Sequence, residues 1–131
     1  MIKKLRTSII KLIYKRDFFD ISVMKPGRKS VATIFDDGTV VFKEYEPMSR
    51  RAQSVRRGKR SVEDFKTLCE KIAGCIESAD RLDSYVDDST EELKIFYEFG
   101  RVQRMDRGLG NEDLHIGDIM REFLDRVVLD T

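Results

Sequence analysis

A tight turn between two alternating runs of residues is the feature that most restricts the fold of this chain. Residues 31–35 and 39–45 are rich in β-branched and aromatic side chains, and the loop between them is Asp36-Asp37-Gly38. Gly38 can adopt the positive φ that tight hairpin loops require, so the pattern predicts a β-hairpin. A three-residue loop places four apolar side chains on one face, namely Ala32, Ile34, Val40 and Phe42. We expect that face to cover the core.

A second hairpin is indicated by residues 93–99, in which apolar and polar side chains alternate. Gly100 permits a tight reversal, after which the chain returns over 102–105. If Gly100 and the residue before it form the loop, Glu98 lies opposite Arg101 as a cross-strand ion pair.

Two amphipathic helices are predicted where apolar residues recur at steps of three and four. The first covers residues 61–79, with a serine as its N-cap, and the second covers 113–128. Together with hairpins at about 31–45 and 93–105, they predict an α+β fold, in which the helices pack on one face of an antiparallel sheet. The chain length of 131 residues supports a single domain over 1–131.

The N-terminal segment, residues 1–16, is interpreted as a basic amphipathic helix, and residues 9–14 also fit the alternative of a strand. Its apolar stripe consists of Ile2, Leu5, Ile9 and Leu12. Because the rest of the predicted fold does not need this stripe, we expect it to bury apolar surface against a second copy, most simply in a homodimer. Low aromatic content argues against binding at a membrane surface. No stretch approaches the roughly twenty apolar residues that a membrane span requires.

Charge is distributed unevenly along the chain, although the net charge is only +1. Residues 1–60 carry a net charge of +10, and residues 61–131 carry a net charge of −9. Such a division suggests partners of opposite sign, which include nucleic acid, a membrane surface, a second copy or another protein, or the protein's own other half. The leading functional hypothesis is therefore self-assembly or another protein–protein interaction.

The connecting loop predicted over 47–60 holds the densest basic cluster. Six of the eleven residues from 50 to 60 are basic and none is acidic: Arg50, Arg51, Arg56, Arg57, Lys59 and Arg60. Arginine presents a planar fork that suits phosphate and carboxylate groups, so the cluster is a candidate contact for a nucleic acid, another polyanion or a protein partner. It contains no aromatic residue, which weakens the comparison with single-strand binders.

Catalytic and metal-binding patterns are scarce. His115 is the only histidine, and it lies at the start of a predicted helix, where the helix dipole disfavours a charged imidazole. Cys69 and Cys75 are six residues apart and face different directions on a helix, so we expect reduced thiols in a cytoplasmic protein and no zinc site. No cofactor motif is found, since Asp113 replaces the third glycine after Gly108-Leu109-Gly110. We therefore expect a non-catalytic interaction domain without a cofactor.

Overall fold

The structure of the protein, a computed structural model, describes residues 8–20, 25–47, 49–80, 91–105 and 116–129. In chain order its elements are β1 (Ile9–Asp20), β2 (Lys25–Phe35), β3 (Thr39–Tyr45), β4 (Ser54–Lys59), α1 (Val62–Asp80), β5 (Glu91–Tyr97), a short 3-10 turn (Glu98–Gly100), β6 (Val102–Met105), α2 (Ile116–Asp125) and β7 (Val128–Leu129). The strands form an antiparallel sheet in the order β6-β5-β1-β2-β3-β4-β7. The predicted α+β class is confirmed, and both predicted hairpins belong to this larger sheet.

The main correction concerns the N-terminal segment, because residues 9–20 form strand β1 and the described part of the chain has no N-terminal helix. Strand β1 lies between β2 and β5, and its Leu12 is opposite Ile34 on one side and Ile95 on the other. Leu12 and Tyr14 are both buried. Strand preference depends on packing against neighbouring strands, and two such neighbours here outweigh the helical spacing of the sequence.

The second correction concerns β4 and β7. Strand β4 lies inside the predicted connecting loop 47–60, and β7 includes the end of the predicted helix 113–128, so α2 is shorter than expected. The two strands pair where Gly58 is opposite Leu129. A Cβ atom at Gly58 would lie 2.4 Å from the Cγ1 atom of Val127, so this close approach requires glycine.

The core lies between one face of the sheet and the two helices. The predicted face of the first hairpin is confirmed, because Ala32 is opposite Phe42 and Ile34 is opposite Val40. The buried apolar side chains are Leu12, Tyr14, Ala32, Ile34, Val40, Leu93 and Ile95 from the sheet, Phe65, Leu68 and Ile72 from α1, and Ile116, Met120 and Phe123 from α2. Both helices therefore cover the same face of the sheet.

Local signals explain where α1 begins. The backbone N–H of Asp64 donates to the Oγ atom of Ser61 at 3.0 Å, which is the predicted N-cap. The Asp64 carboxylate in turn accepts from the Ser61 N–H at 3.4 Å, which resembles a capping box.

Neither helix, over the residues that the structure describes, is long and apolar enough to cross a membrane.

The two hairpin turns differ in how well the sequence predicted them. Gly38 has a φ of +91°, as its turn requires. In the second turn the prediction was wrong by one residue, because Phe96 pairs with Val102 and the Tyr97 N–H donates to the carbonyl of Arg101 at 2.9 Å. The Arg101 guanidinium lies over the Tyr97 ring, 4.7 Å from its centroid, and the predicted cross-strand ion pair with Glu98 is not formed.

Candidate functional site

The face of the sheet opposite the helices is the largest feature that the core does not explain. We call it the open face and define it by the strand register. It consists of Lys11, Ile13 and Lys15 on β1, Lys29, Val31, Thr33 and Phe35 on β2, Thr39, Val41, Lys43 and Tyr45 on β3, Val55, Arg57 and Lys59 on β4, Glu92, Lys94 and Phe96 on β5, Val102 and Arg104 on β6, and Val128 on β7. None of these residues is buried.

The open face is strongly basic. Its cations are Lys11, Lys15, Lys29, Lys43, Arg57, Lys59, Lys94 and Arg104. Glu92 is the only carboxylate in the set that defines the face, and the register continues to Asp17 opposite Lys29 at the margin. Because neighbouring strands are about 4.8 Å apart, the cations span about 24 Å from Arg104 on β6 to Arg57 on β4.

Several of these cations have no acidic partner among the described residues. Arg104 is paired with Glu92, whose Oε2 atom lies 2.6 Å from Nε. In contrast, the described residues provide no ion pair for four other cations of this face: Lys15, Lys43, Arg57 and Lys94. Arginines beside the helices do have such partners, since Arg121 Nη1 lies 2.7 Å from the carboxylate of Glu91. The positive charge of the open face is therefore largely uncompensated within the described part of the chain.

Aromatic rings lie among the cations. The Lys11 ammonium is 4.4 Å from the centroid of the Phe96 ring, and the Lys29 ammonium is 4.8 Å from the centroid of Tyr45. Phe35 lies opposite Lys11 on the other neighbouring strand. Rings interleaved with cations are typical of surfaces that bind nucleic acids, because the rings stack on bases while the cations contact phosphates.

The structure divides the Arg-rich segment of residues 50–60. Arg57 and Lys59 belong to the open face, whereas Arg56 lies opposite Phe42 on the other face, where it is exposed. Arg50 and Arg51 precede β4 and are also exposed. The segment is therefore not a single patch, and only its second half contributes to the open face.

Arg60, the last residue of that segment, contacts residues of both helices. Its Nε atom lies 3.1 Å from the Asp64 carboxylate, and Nη1 donates to the Phe123 carbonyl at 2.7 Å. The guanidinium also lies 4.4 Å from the centroid of the Phe123 ring. Arg60 thus links α1 to α2 and is not available to a partner in the same way as Arg57.

The predicted self-association stripe is also divided. Leu12 is fully buried in the protein's own core, and Ile9 packs against that core. Ile2 and Leu5 lie outside the described residues. The interpretation of Leu12 as part of an exposed helical stripe was wrong, because the alternation of a central strand places it under the helices.

The cations of β1, β3 and β5 were missed by sequence reasoning. Lys11 and Lys15 flank Ile13 at alternate positions, which would have marked one face of a strand if residues 9–16 had been read as extended. Lys43 and Lys94 occupy equivalent alternate positions in the two predicted hairpins. These lysines lie on one face because β1 pairs with a strand of each hairpin. No local sequence pattern predicts that β1 lies between the two hairpins.

A polar cluster lies on the helix side of the sheet. The Tyr14 hydroxyl donates to the Glu91 carboxylate, which also accepts from Arg121 at 2.7 Å, and Arg121 donates to Asp118 at 2.5 Å. Burial raises the pKa of Glu91 despite the nearby Arg121. Burial and the same arginine lower the pKa of Arg16. Since its members bond to one another, this cluster fastens α2 to β1 and β5.

The remaining sequence candidates bring no further site. His115 and the Gly108-Leu109-Gly110 turn lie outside the described residues. Within the described ranges, no group of three histidine, cysteine or acidic side chains is arranged to hold a metal ion. Comparisons of the chain with protein-family models, curated proteins and solved structures gave no match.

Proposed function

We propose that this protein binds a nucleic acid through the open face of its sheet. The observation that carries the proposal is the set of cations on one side of the molecule for which the described residues hold no acidic partner: Lys15, Lys43, Arg57 and Lys94. Regularly spaced phosphates are the partners that many separated cations can contact together, and the release of their counterions favours binding. The interleaved rings give bases a surface to stack on.

Charge repulsion argues against self-association through two open faces. Two open faces packed against each other would bring like charges together, and each unpaired charge would lose its hydration. A second copy would instead be attracted by its helical side, where the described parts of α1 and α2 carry six acidic side chains against three basic ones. A head-to-tail contact of this kind is the second candidate function, and it retains the predicted role in protein–protein interaction.

Salt-dependent titration tests the first candidate. We expect a labelled oligonucleotide to bind at low salt, with an affinity that falls linearly in log–log form as salt rises. Replacing Lys15, Lys43 and Lys94 by alanine should reduce the slope by about 0.7 to 0.9 for each phosphate that the variant no longer neutralises. The control is a double Lys66→Ala and Lys71→Ala variant, whose lysines are exposed on α1.

The two candidates give different results in this experiment. Nucleic-acid binding predicts a weaker complex for the open-face variant and an unchanged one for the α1 control. Absence of binding by the intact protein at low salt would refute the proposal, as would equal reductions of affinity in the two variants. Light scattering then tests the second candidate: a monomeric mass at micromolar concentration rejects self-assembly, and a mass that rises with concentration supports it.

A further inference from the structure

One corner of the sheet exposes an unusual amount of apolar surface. The side chain of Phe99 is 96% exposed, that of Val102 is 51% exposed and that of Ile10 is 39% exposed. Phe99 and Val102 belong to the turn and strand that follow β5. Ile10 occupies a bulge of β1 beside Phe96, which is itself the partner of Val102. We call Ile10, Phe99 and Val102 the apolar corner.

The backbone of Phe99 is strained as well as exposed. Its φ of +67° is the left-handed conformation that glycine and asparagine adopt more easily than phenylalanine. Neither burial nor conformational preference therefore explains a phenylalanine at this position. Residues held in strained backbone conformations cluster at binding sites, so the exposed Phe99 ring is a candidate contact for a ligand.

The apolar corner adjoins the basic open face through Val102. Phe96 and Val102 form the last pair of the β5–β6 ladder before the turn, and Lys11 lies over the Phe96 ring. A chain of phosphates that follows Lys15, Lys94 and Lys11 along the face would therefore run toward the turn that holds Phe99. Along this path Lys15 lies opposite Glu92, Ile13 opposite Lys94 and Lys11 opposite Phe96, so the Phe96 ring follows three cations that suit phosphates.

From this placement, and resting on the proposed function, we propose that Phe99 stacks on an unpaired base and that the protein prefers single-stranded nucleic acid to duplex. Bases in a duplex are already stacked and paired, so they do not offer a free face to a ring at the margin of the site. In a single strand every base offers such a face, which makes the contact tolerant of sequence.

Three substitutions at Phe99 test the role of the ring. Phe99→Gly removes the ring and relieves the backbone strain, so the variant is expected to stay folded with an unchanged or higher Tm. Single-strand affinity should fall about 5- to 100-fold, the range seen when a stacking ring is removed. Phe99→Tyr should keep most of the affinity, whereas Phe99→Leu, which remains apolar, should not. Val62→Ala, at an exposed apolar position on α1 outside the open face, is the matched control.

The measurement is fluorescence anisotropy with a labelled single strand and a duplex of the same length, each at two salt concentrations. We expect Phe99→Gly to weaken single-strand binding and leave the salt slope unchanged, because the ring carries no charge. Failure of the intact protein to bind either probe would refute the proposed function. Equal binding of both probes, with no effect of Phe99→Gly, would overturn the stacking inference alone.

A lipid surface is the alternative occupant of the apolar corner, since an exposed ring beside cations can also enter an anionic membrane. The same proteins are therefore mixed with vesicles of phosphatidylcholine and phosphatidylserine. Vesicle binding that Phe99→Gly abolishes, together with unchanged single-strand affinity, would overturn the inference in favour of lipid. Reduced single-strand affinity without any vesicle binding would support it.

Discussion

Leu12→Ala distinguishes the strand seen in the structure from the exposed helical stripe that the sequence suggested. Leu12 is fully buried in the central strand, between Ile34 and Ile95. The substitution removes three carbons, which at about 0.8 kcal/mol each corresponds to about 2.4 kcal/mol of transfer free energy. The cavity left under the helices adds to this, so we expect the free energy of unfolding to fall by about 3 to 5 kcal/mol.

Ile10→Ala is the matched control, because it removes three carbons from a neighbouring residue of β1 that is 39% exposed. We expect it to cost less than about 1 kcal/mol, as substitutions at exposed positions do. Urea denaturation followed by far-UV circular dichroism measures both changes. The reasoning would be refuted if Leu12→Ala were no worse than the control, or if its cost grew with protein concentration, as expected for a residue that packs against a second copy.

Four other features give measurable expectations. Gly58→Ala should destabilise the protein by about 1 to 3 kcal/mol in urea denaturation, because the new Cβ would lie 2.8 Å from a carbonyl oxygen of β7. Gly74→Ala, with open space around it in α1, should instead stabilise by about 0.5 to 1 kcal/mol. Hydrogen bonding from the Arg60 side chain lowers the pKa of Asp64 below the usual aspartate value. The ionised Asp64 carboxylate therefore makes its full contribution to stability at pH values above the usual aspartate pKa, and this contribution is lost as the pH falls through the lowered pKa. The stability difference between the natural protein and Asp64→Asn should accordingly shrink in acid denaturation series below about pH 4. Burial raises the pKa of Cys69 to about 12, so iodoacetamide at mildly alkaline pH should label this thiol only after unfolding, as mass spectrometry would show.

Strong local signals were enough to predict much of the fold. The alternation around Gly38 predicted the first hairpin and its buried face, and Ser61 marked the start of α1. These features depend on residues close together in sequence, whose geometry is set by turn and cap chemistry. Such signals are readable without knowledge of the tertiary structure.

The elements that were missed depend on distant partners. The apolar residues of β1 fit helical spacing as well as alternation, and the β2–β1–β5 pairing selects the extended form. Strand β4 is arginine-rich and has little intrinsic preference for a strand, so its pairing with β3 decides its conformation. Because Gly58 lets β7 pack closely, the end of the predicted second helix becomes a strand instead.

The candidate site was predicted only in part for the same reason. The sequence directed attention to the consecutive cations of residues 50–60, of which Arg57 and Lys59 lie on the open face and Arg60 does not. In a strand, consecutive side chains alternate between faces, so a dense cluster in sequence is divided by the sheet. Cations at alternate positions of several strands are instead brought together, and only the strand order shows this.

The topology also places the two described helices of the second half of the chain on the side of the sheet away from the open face. The four strands of the basic first half occupy the centre and one flank of the sheet, and both helices come from the acidic second half. Since the helices cover one face only, the acids they carry lie on the far side of the sheet from the lysines of β1 and β3. At physiological ionic strength the Debye length is about 8 Å, whereas a helix packed on a sheet places its outer surface about 10 Å or more away. The described acidic side chains of the two helices therefore screen the open face only weakly.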